Sequence, residues 1–349
     1  MSNKTDFKID RFMEKKRIEY LDAIKGFAIF LMVMGHVIAW NYVDYSRICI
    51  YDPDQSINVK MGGVVWQLIY SFHMPLFFMV SGFLSYKIYS WKDFVPFLKK
   101  KVSRLLLPWI CTFGIIYFVR GSMGYWFLLC LFQISIIGFI VIVILEKINK
   151  KGFWIIDAIL IGLIYIILRY FHVQDWSVNG MNLGSFANFF LPFFAGTLLR
   201  KYKSLFSVCI EYSWFYTCAF MAFLLFFCSR YLVSSGIIFE LIYRYSSIVL
   251  SILGSLLIFH AFAKGSFIRL RPILSYLGKK TLPIYILHIM FVVQIPKVGE
   301  FILQQNAISS ITIQLAYSIF LSGIAIGLSF ILYKFIIISP LLRKILFGE

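Results

Sequence analysis

Two histidines stand where chemistry would be unexpected unless it were needed. His36 lies in the apolar stretch "KGFAIFLMVMGHVIAW" (residues 25–40) and His73 in "SFHMPLFFMVSGF" (residues 71–83). From Lys25 to His36 a helix rises about 16 Å, which sets the imidazole deep in a bilayer roughly 30 Å thick. Counted inward from the opposite surface near residue 62, His73 reaches a similar depth. An ionisable side chain in lipid is costly and therefore a functional candidate. Imidazole titrates near neutral pH and can take a proton from a hydroxyl, so the pair suits a general base and a relay. The competing reading is structural: each ring could bond a backbone carbonyl and only support packing. Pro75, two residues past His73, is expected to disrupt its helix and free carbonyls there.

Cations form the second group. Lys25 opens the first apolar stretch, and Lys101 and Arg104 stand three apart in "FLKKKVSRLLLPW". On a helix they would share a face and could grip a phosphorylated ligand together. Lys25 could equally be a lysine reaching for the interface, and the basic run could reflect only the charge bias of cytoplasmic loops. A cytosolic donor with a phosphate-rich head and a long pantetheine arm would fit cations at the entrance and histidines above them. Trp40, Tyr42 and Trp66 near the outer ends could stack on a sugar or simply form an interfacial belt. His288 is open to either role, while His172 and His260 read as interfacial. Asp22 and Asp157 read as helix-start caps. The near absence of carboxylates within the apolar stretches counts against a proton-driven transporter.

The elements that must position these residues are membrane helices. The 349-residue chain is 60% hydrophobic and only 14% charged, and a soluble domain would carry about a quarter charged residues. The expected fold is all-α, a polytopic transmembrane helical bundle of about ten spans. They lie near residues 24–42, 62–86, 105–119, 126–145, 153–171, 183–199, 208–229, 245–263, 282–303 and 308–338. Of 34 Lys and Arg residues, only Arg47, Lys60, Arg120, Arg169, Arg230, Arg244 and Lys297 fall on one side, with Lys25 and Lys334 inside spans. All the others fall on the opposite side, which places both termini in the cytoplasm. The same bias explains the net charge of +18 without any nucleic-acid partner. Residues 1–20 read as a cytoplasmic N-terminal segment and 21–349 as one integral-membrane domain. No cleavable leader is expected. The six cysteines are scattered, with no C-x-x-C pair, so no disulfide framework and no metal are expected.

The first and second spans, "RIEYLDAIKGFAIFLMVMGHV" and "SFHMPLFFMVSGFL", together with "FLKKKVSRLLLPW" and "LGKKTLPIYILH", resemble segments of the integral-membrane acyltransferase-3 family. Within it the likeness is to fucose 4-O-acetylases and polysaccharide O-acetyltransferases, over about residues 17–340. "YWFLLCLF" and "FFAGTLLRK" are similar to family segments as well. The resemblance implies transfer of an acyl group, usually acetyl from acetyl-CoA, to a sugar hydroxyl across the membrane. It implies a catalytic role for His36, and places Lys25 where the family has an arginine eleven residues before that histidine. Lys101 and Arg104 stand at the family's paired arginines, one replaced by lysine.

The expected function is therefore a membrane O-acyltransferase with acetyl-CoA as co-substrate, acting on a cell-surface polysaccharide or its lipid-linked precursor. His36 and His73 are the catalytic candidates, and Lys25, Lys101 and Arg104 the candidates for binding the donor. Membrane lipid, a sugar acceptor and polysaccharide-assembly proteins are the expected partners, and the plasma membrane of a bacterium the expected location. The alternatives are a transporter or flippase of a lipid-linked sugar or small solute, and a non-catalytic member of an assembly complex.

Overall fold

The computed structural model describes residues 3–41, 63–112, 126–150, 152–173, 183–232, 237–295 and 297–348, and among them every regular element is a helix. The longer helices are α1 (Asn3–Asn41), α2 (Val64–Ser85), α3 (Phe94–Lys101), α4 (Trp126–Ile148), α5 (Trp154–Val173), α6 (Leu183–Lys201), α7 (Ser213–Leu232) and α8 (Ile237–Lys264). They are followed by α9 (Arg271–Lys279), α10 (Thr281–Leu287), α11 (Val298–Leu303), α12 (Ala307–Ile336) and α13 (Pro340–Phe347). Helices are what such apolar segments must form in lipid, because every backbone N–H and C=O is then satisfied within the segment. Among the described residues, 5 helices are long and apolar enough to cross a membrane, or 6 when a bent pair counts as one.

Two expected spans differ from simple rods. The 208–229 span is a pair, Lys203–Glu211 and Ser213–Ser229, bent by 68°. The 282–303 span is not one helix: α10 tightens into a 3-10 turn at His288–Met290, the chain leaves helical form, and α11 resumes at Val298. The 105–119 span is described only to residue 112, where it is helical. Pro75 does not end α2, which continues through it to Ser85.

The chain divides into two compact units. The first comprises Met1–Leu76, Val208–Tyr285 and Val292–Ile326. Its tightest crossing is α1 on α9. A Cβ on Gly26 would overlap the carbonyl of Leu274, and one on Gly278 would overlap the carbonyl of Asp22. Ser275 Oγ donates to the Glu19 carbonyl at 3.0 Å beside this contact. Small residues let helix backbones approach, and that approach drives association where lipid supplies no hydrophobic force. On α8, Gly254 makes room for Phe72 and Phe223: an added Cβ would lie 2.7 Å from Phe72 Cβ.

The second unit comprises Phe77–Ser207, Ile286–Phe291 and Gly327–Glu349. The same device recurs between α2 and α6. A Cβ on Gly82 would overlap the Phe193 carbonyl, and one on Gly196 the Met79 carbonyl. Thr197 Oγ1 donates to the Phe193 carbonyl at 3.2 Å within that crossing.

Both carboxylates expected to cap helices have other roles. Asp22 lies well inside α1 and pairs with Lys25 at 2.6 Å. Asp157 is fully buried. It accepts from Lys201 Nζ at 2.8 Å, Tyr202 OH at 2.7 Å and Asn149 Nδ2 at 2.8 Å. Lys201 also pairs with Glu146 at 2.8 Å, and Tyr86 OH donates to the same carboxylate oxygen at 3.1 Å. The ends of α2, α4, α5 and α6 are thereby tied by one polar knot. Burial by itself would lower the Lys201 pKa, but the bonds to Asp157 and Glu146 outweigh it and hold the pKa above its ordinary value.

Candidate active site

In the first unit α1 carries Lys25 and His36. Eleven residues are close to three helical turns, so the two side chains share one face about 16 Å apart. Trp40, one turn beyond, lies parallel to the His36 ring with centroids 5.5 Å apart and 8° between the planes. His36 keeps part of its surface exposed.

α2 supplies the facing wall. Trp66, Tyr70 and His73 fall on one face at i, i+4 and i+7. Trp66 stacks on Tyr70 with centroids at 4.1 Å, and Tyr70 meets His73 edge-on at 4.7 Å. Gly35, next to His36, lets α2 come this close: a Cβ there would stand 2.7 Å from Tyr70 Cε2. Below the rings, Met34, Ile38, Val65, Ile69 and Ile302 form a buried apolar cluster that locks α1, α2 and α11 together.

His73 is 2% exposed. Its Nδ1 donates to the Ile69 carbonyl at 2.8 Å, because a carbonyl can only accept. That is the packing bond of the structural reading, yet it also sets the tautomer. In the neutral ring Nε2 is left with its lone pair. Gly35, beside His36, packs on Tyr70, and the Tyr70 ring meets His73, so the two imidazoles belong to one set of contacts. One ring is thus held and buried while the other is partly exposed, an arrangement suited to a base and the group that orients it.

Lys25 is not an isolated cation. Its ion pair with Asp22 neutralises much of its charge, and a phosphate there would have to compete with that carboxylate.

Lys101 and Arg104 belong to the second unit. An α-helical pair sharing one face was expected; instead Lys101 ends α3 and Arg104 lies in a π turn, Val102–Leu106. Lys101 is partly buried and Arg104 exposed. α3 rests on Phe139 through Phe94 and Phe97, with centroids at 5.4 and 5.0 Å. Lys101 Nζ sits 5.3 Å from the centre of the Phe97 ring. Desolvation, together with the charges of Lys100 and Arg104, pushes its pKa down to about 8. Among the described residues no carboxylate pairs with Lys101 or Arg104, which leaves a crowded cationic patch able to receive an anion. The C-terminal end backs this turn: Gly348, at φ 63°, packs so closely that a Cβ would lie 2.6 Å from the Ser103 carbonyl.

The remaining candidates are dispersed. His288 is fully buried at the break after α10. His260 stacks on Tyr216 with centroids at 4.5 Å. Trp40 and Trp66 are engaged in the ring contacts above, and Tyr42 lies outside the described residues. Among the described residues no three His, Cys, Asp or Glu side chains come together to hold a metal. Sequence reasoning missed the glycines. Gly26, Gly35, Gly82, Gly196 and Gly278 all lie inside or beside the stretches singled out for chemistry, and a glycine within an apolar helix signals close approach.

A family model described as an acyltransferase domain, acyltransferase 3, matches residues 18–334. The chain belongs to the acyltransferase-3 family. The nodulation protein NolL of Mesorhizobium japonicum is 27% identical over 157 residues, which are 39% of this chain and 38% of NolL. This chain thus aligns with well under half the length of that curated relative. No solved structure matches. The matched domain is that of acyl-group transferases, and the chain's apolar helices make it a multi-pass membrane protein.

Proposed function

We propose that this acyltransferase is an O-acetyltransferase that takes acetyl from cytoplasmic acetyl-CoA and delivers it to a hydroxyl of a sugar in a cell-surface polysaccharide or its lipid-linked precursor. The observation that carries the reading is the histidine pair: His36 partly exposed, His73 buried and fixed in tautomer by Ile69.

His36 removes the proton of the sugar hydroxyl as its oxygen attacks the thioester carbonyl. The C–S bond breaks, the ester C–O bond forms, and the departing thiolate takes up the proton. His73 Nε2 orients His36 or shares its proton. Lys25, and separately Lys101 with Arg104, are the candidates for holding the donor's phosphates. In this reading the bundle has about ten spans with both termini in the cytoplasm, in the plasma membrane of a bacterium. Sugar-bearing lipid and polysaccharide-assembly proteins are its partners.

The test is release of CoA thiol from acetyl-CoA by nanodisc-held protein given crude polysaccharide precursor, wild type beside His36→Ala. Release by wild type and its loss in a folded His36→Ala variant supports the reading. Equal turnover by both moves the base elsewhere, and no turnover with no acetyl-CoA binding removes acetyl-CoA as the donor.

A further inference from the structure

Arg271 opens α9 in the first unit. Its Nη2 donates to the Phe262 carbonyl at 2.7 Å, near the end of α8, where the last carbonyls lack helical partners. That bond is a helix cap and is explained by packing alone. Nε is not. It is buried and has no partner among the described residues. A buried charged N–H left unmade costs about 1–3 kcal/mol, and native structures nearly always satisfy such groups.

The surroundings say what would satisfy it. Gly265, at φ 85°, bends the chain around the guanidinium, with Arg271 Nη2 3.9 Å from where a Cβ would stand. Phe262, Phe267 and Phe27 pack ring on ring beneath the turn, with Phe262–Phe267 and Phe27–Phe262 centroids at 5.0 and 5.7 Å. From Lys264 to Lys280 the chain bears Lys264, Arg269, Arg271, Lys279 and Lys280 and no acid. Across the Gly26–Gly278 crossing α1 carries Asp22, already bound by Lys25 at 2.6 Å, and Glu19, whose carbonyl accepts from Ser275. A guanidinium edge with one hand on a carbonyl and one N–H unmet, in an acid-free basic turn, is complementary to phosphate oxygens.

We propose that Arg271, in the first unit, is a phosphate-binding residue of this protein. It would hold a phosphate of the donor's nucleotide head, and to that extent rests on the acetyl-CoA reading. An anionic lipid headgroup offers the same chemistry from a second source.

The experiment places wild type, Arg271→Lys and Arg271→Gln in neutral phosphatidylcholine nanodiscs and measures CoA affinity and the Tm shift caused by pyrophosphate. Gln keeps a donor for the Phe262 carbonyl, and Lys keeps the charge without the Nε–H. The expected result is CoA affinity weakened about tenfold or more in both variants, with the pyrophosphate shift lost. Repeating the Tm measurement in phosphatidylglycerol nanodiscs separates the sources. Arg271-dependent stabilisation seen only there supports the site and assigns its phosphate to lipid. If wild type fails to bind CoA yet shows an Arg271-dependent pyrophosphate shift, the anion site stands and the donor reading falls. Variants with lowered Tm but wild-type responses to CoA, pyrophosphate and anionic lipid would overturn the proposal and leave Arg271 as a helix cap only.

Discussion

His73 holds a proton on the carbonyl one turn behind it, so its two nitrogens can be tested apart. Asn reproduces the Nδ1 donor to Ile69 but has nothing at Nε2. If His73 works through Nε2, His73→Asn keeps the thermal stability of the wild type while acyl transfer falls by about 10²-fold or more. If its role is packing, His73→Asn is active and only His73→Ala, which leaves the site without its donor, loses stability. Activity and Tm of the two variants side by side decide it. Lys101 offers a second residue-scale test. With its pKa near 8 it is charged below that pH and neutral above it. Its hold on a phosphate is therefore present at pH 7 and lost as pH rises through 8. The KM for the donor is expected to climb between pH 7 and 9, and to climb far less in Lys101→Arg, whose guanidinium stays charged.

Among the helices, glycine placement separates contacts that build the fold from positions that face outward. Gly26 and Gly278 meet backbone atoms of the opposite helix, which cannot swing aside as a side chain would. Gly26→Ala or Gly278→Ala must push α1 off α9, and a loss of at least about 1–3 kcal/mol is expected, read as reduced Tm and poor yield. Gly323 and Gly327 on α12 have nothing within 4 Å of an added Cβ. Gly323→Ala is expected to be neutral or to stabilise by up to about 1 kcal/mol, since Ala is the better helix former. The inward face of α12 is polar, with Ser310, Gln314, Ser318, Ser322 and Ser329 buried, while Phe320, Ile331 and Phe335 are exposed. That inversion of a soluble helix follows from lipid being the outer solvent. Hydroxyls such as those of Ser318 and Ser322 turn back to their own helix carbonyls.

Across the molecule, the knot around Asp157 holds the second unit's basic end. Removing Asp157 leaves Lys201 with only Glu146, strips the buried Tyr202 hydroxyl of its acceptor and leaves Asn149 Nδ2 without one of its acceptors, the Phe153 carbonyl remaining. Asp157→Ala is expected to cost about 3–5 kcal/mol, as breaking a buried ion pair does. The double variant Asp157→Leu with Lys201→Met should recover part of it, because no unpaired charge then stays buried. Thermal unfolding in nanodiscs gives both numbers. Alkali tests the same knot: Asp157 and Glu146 hold the Lys201 pKa above its ordinary value, so its contribution is present at neutral pH and lost as pH rises through that raised pKa, and Tm should fall there.

The sequence by itself determined what depends on near neighbours. Hydropathy along the chain is enough to require helices, because backbone groups in lipid have no other partners. The spacing of Lys25 and His36 on α1, and of Trp66, Tyr70 and His73 on α2, follows from helical pitch alone. Residues 18–334 carry enough of the family's pattern to name the family. Tertiary structure alone decided what depends on contacts distant in sequence. Asp157 reads as a helix cap from its position, yet its partner Tyr202 lies 45 residues away. Gly26 and Gly278 become a joint only when α1 and α9 cross. A π turn at Val102–Leu106, invisible in the spacing, follows Lys101 and holds Arg104. Which histidine is open, and which buried N–H of Arg271 lacks a partner, are properties of how the helices pack, and local periodicity does not carry that information.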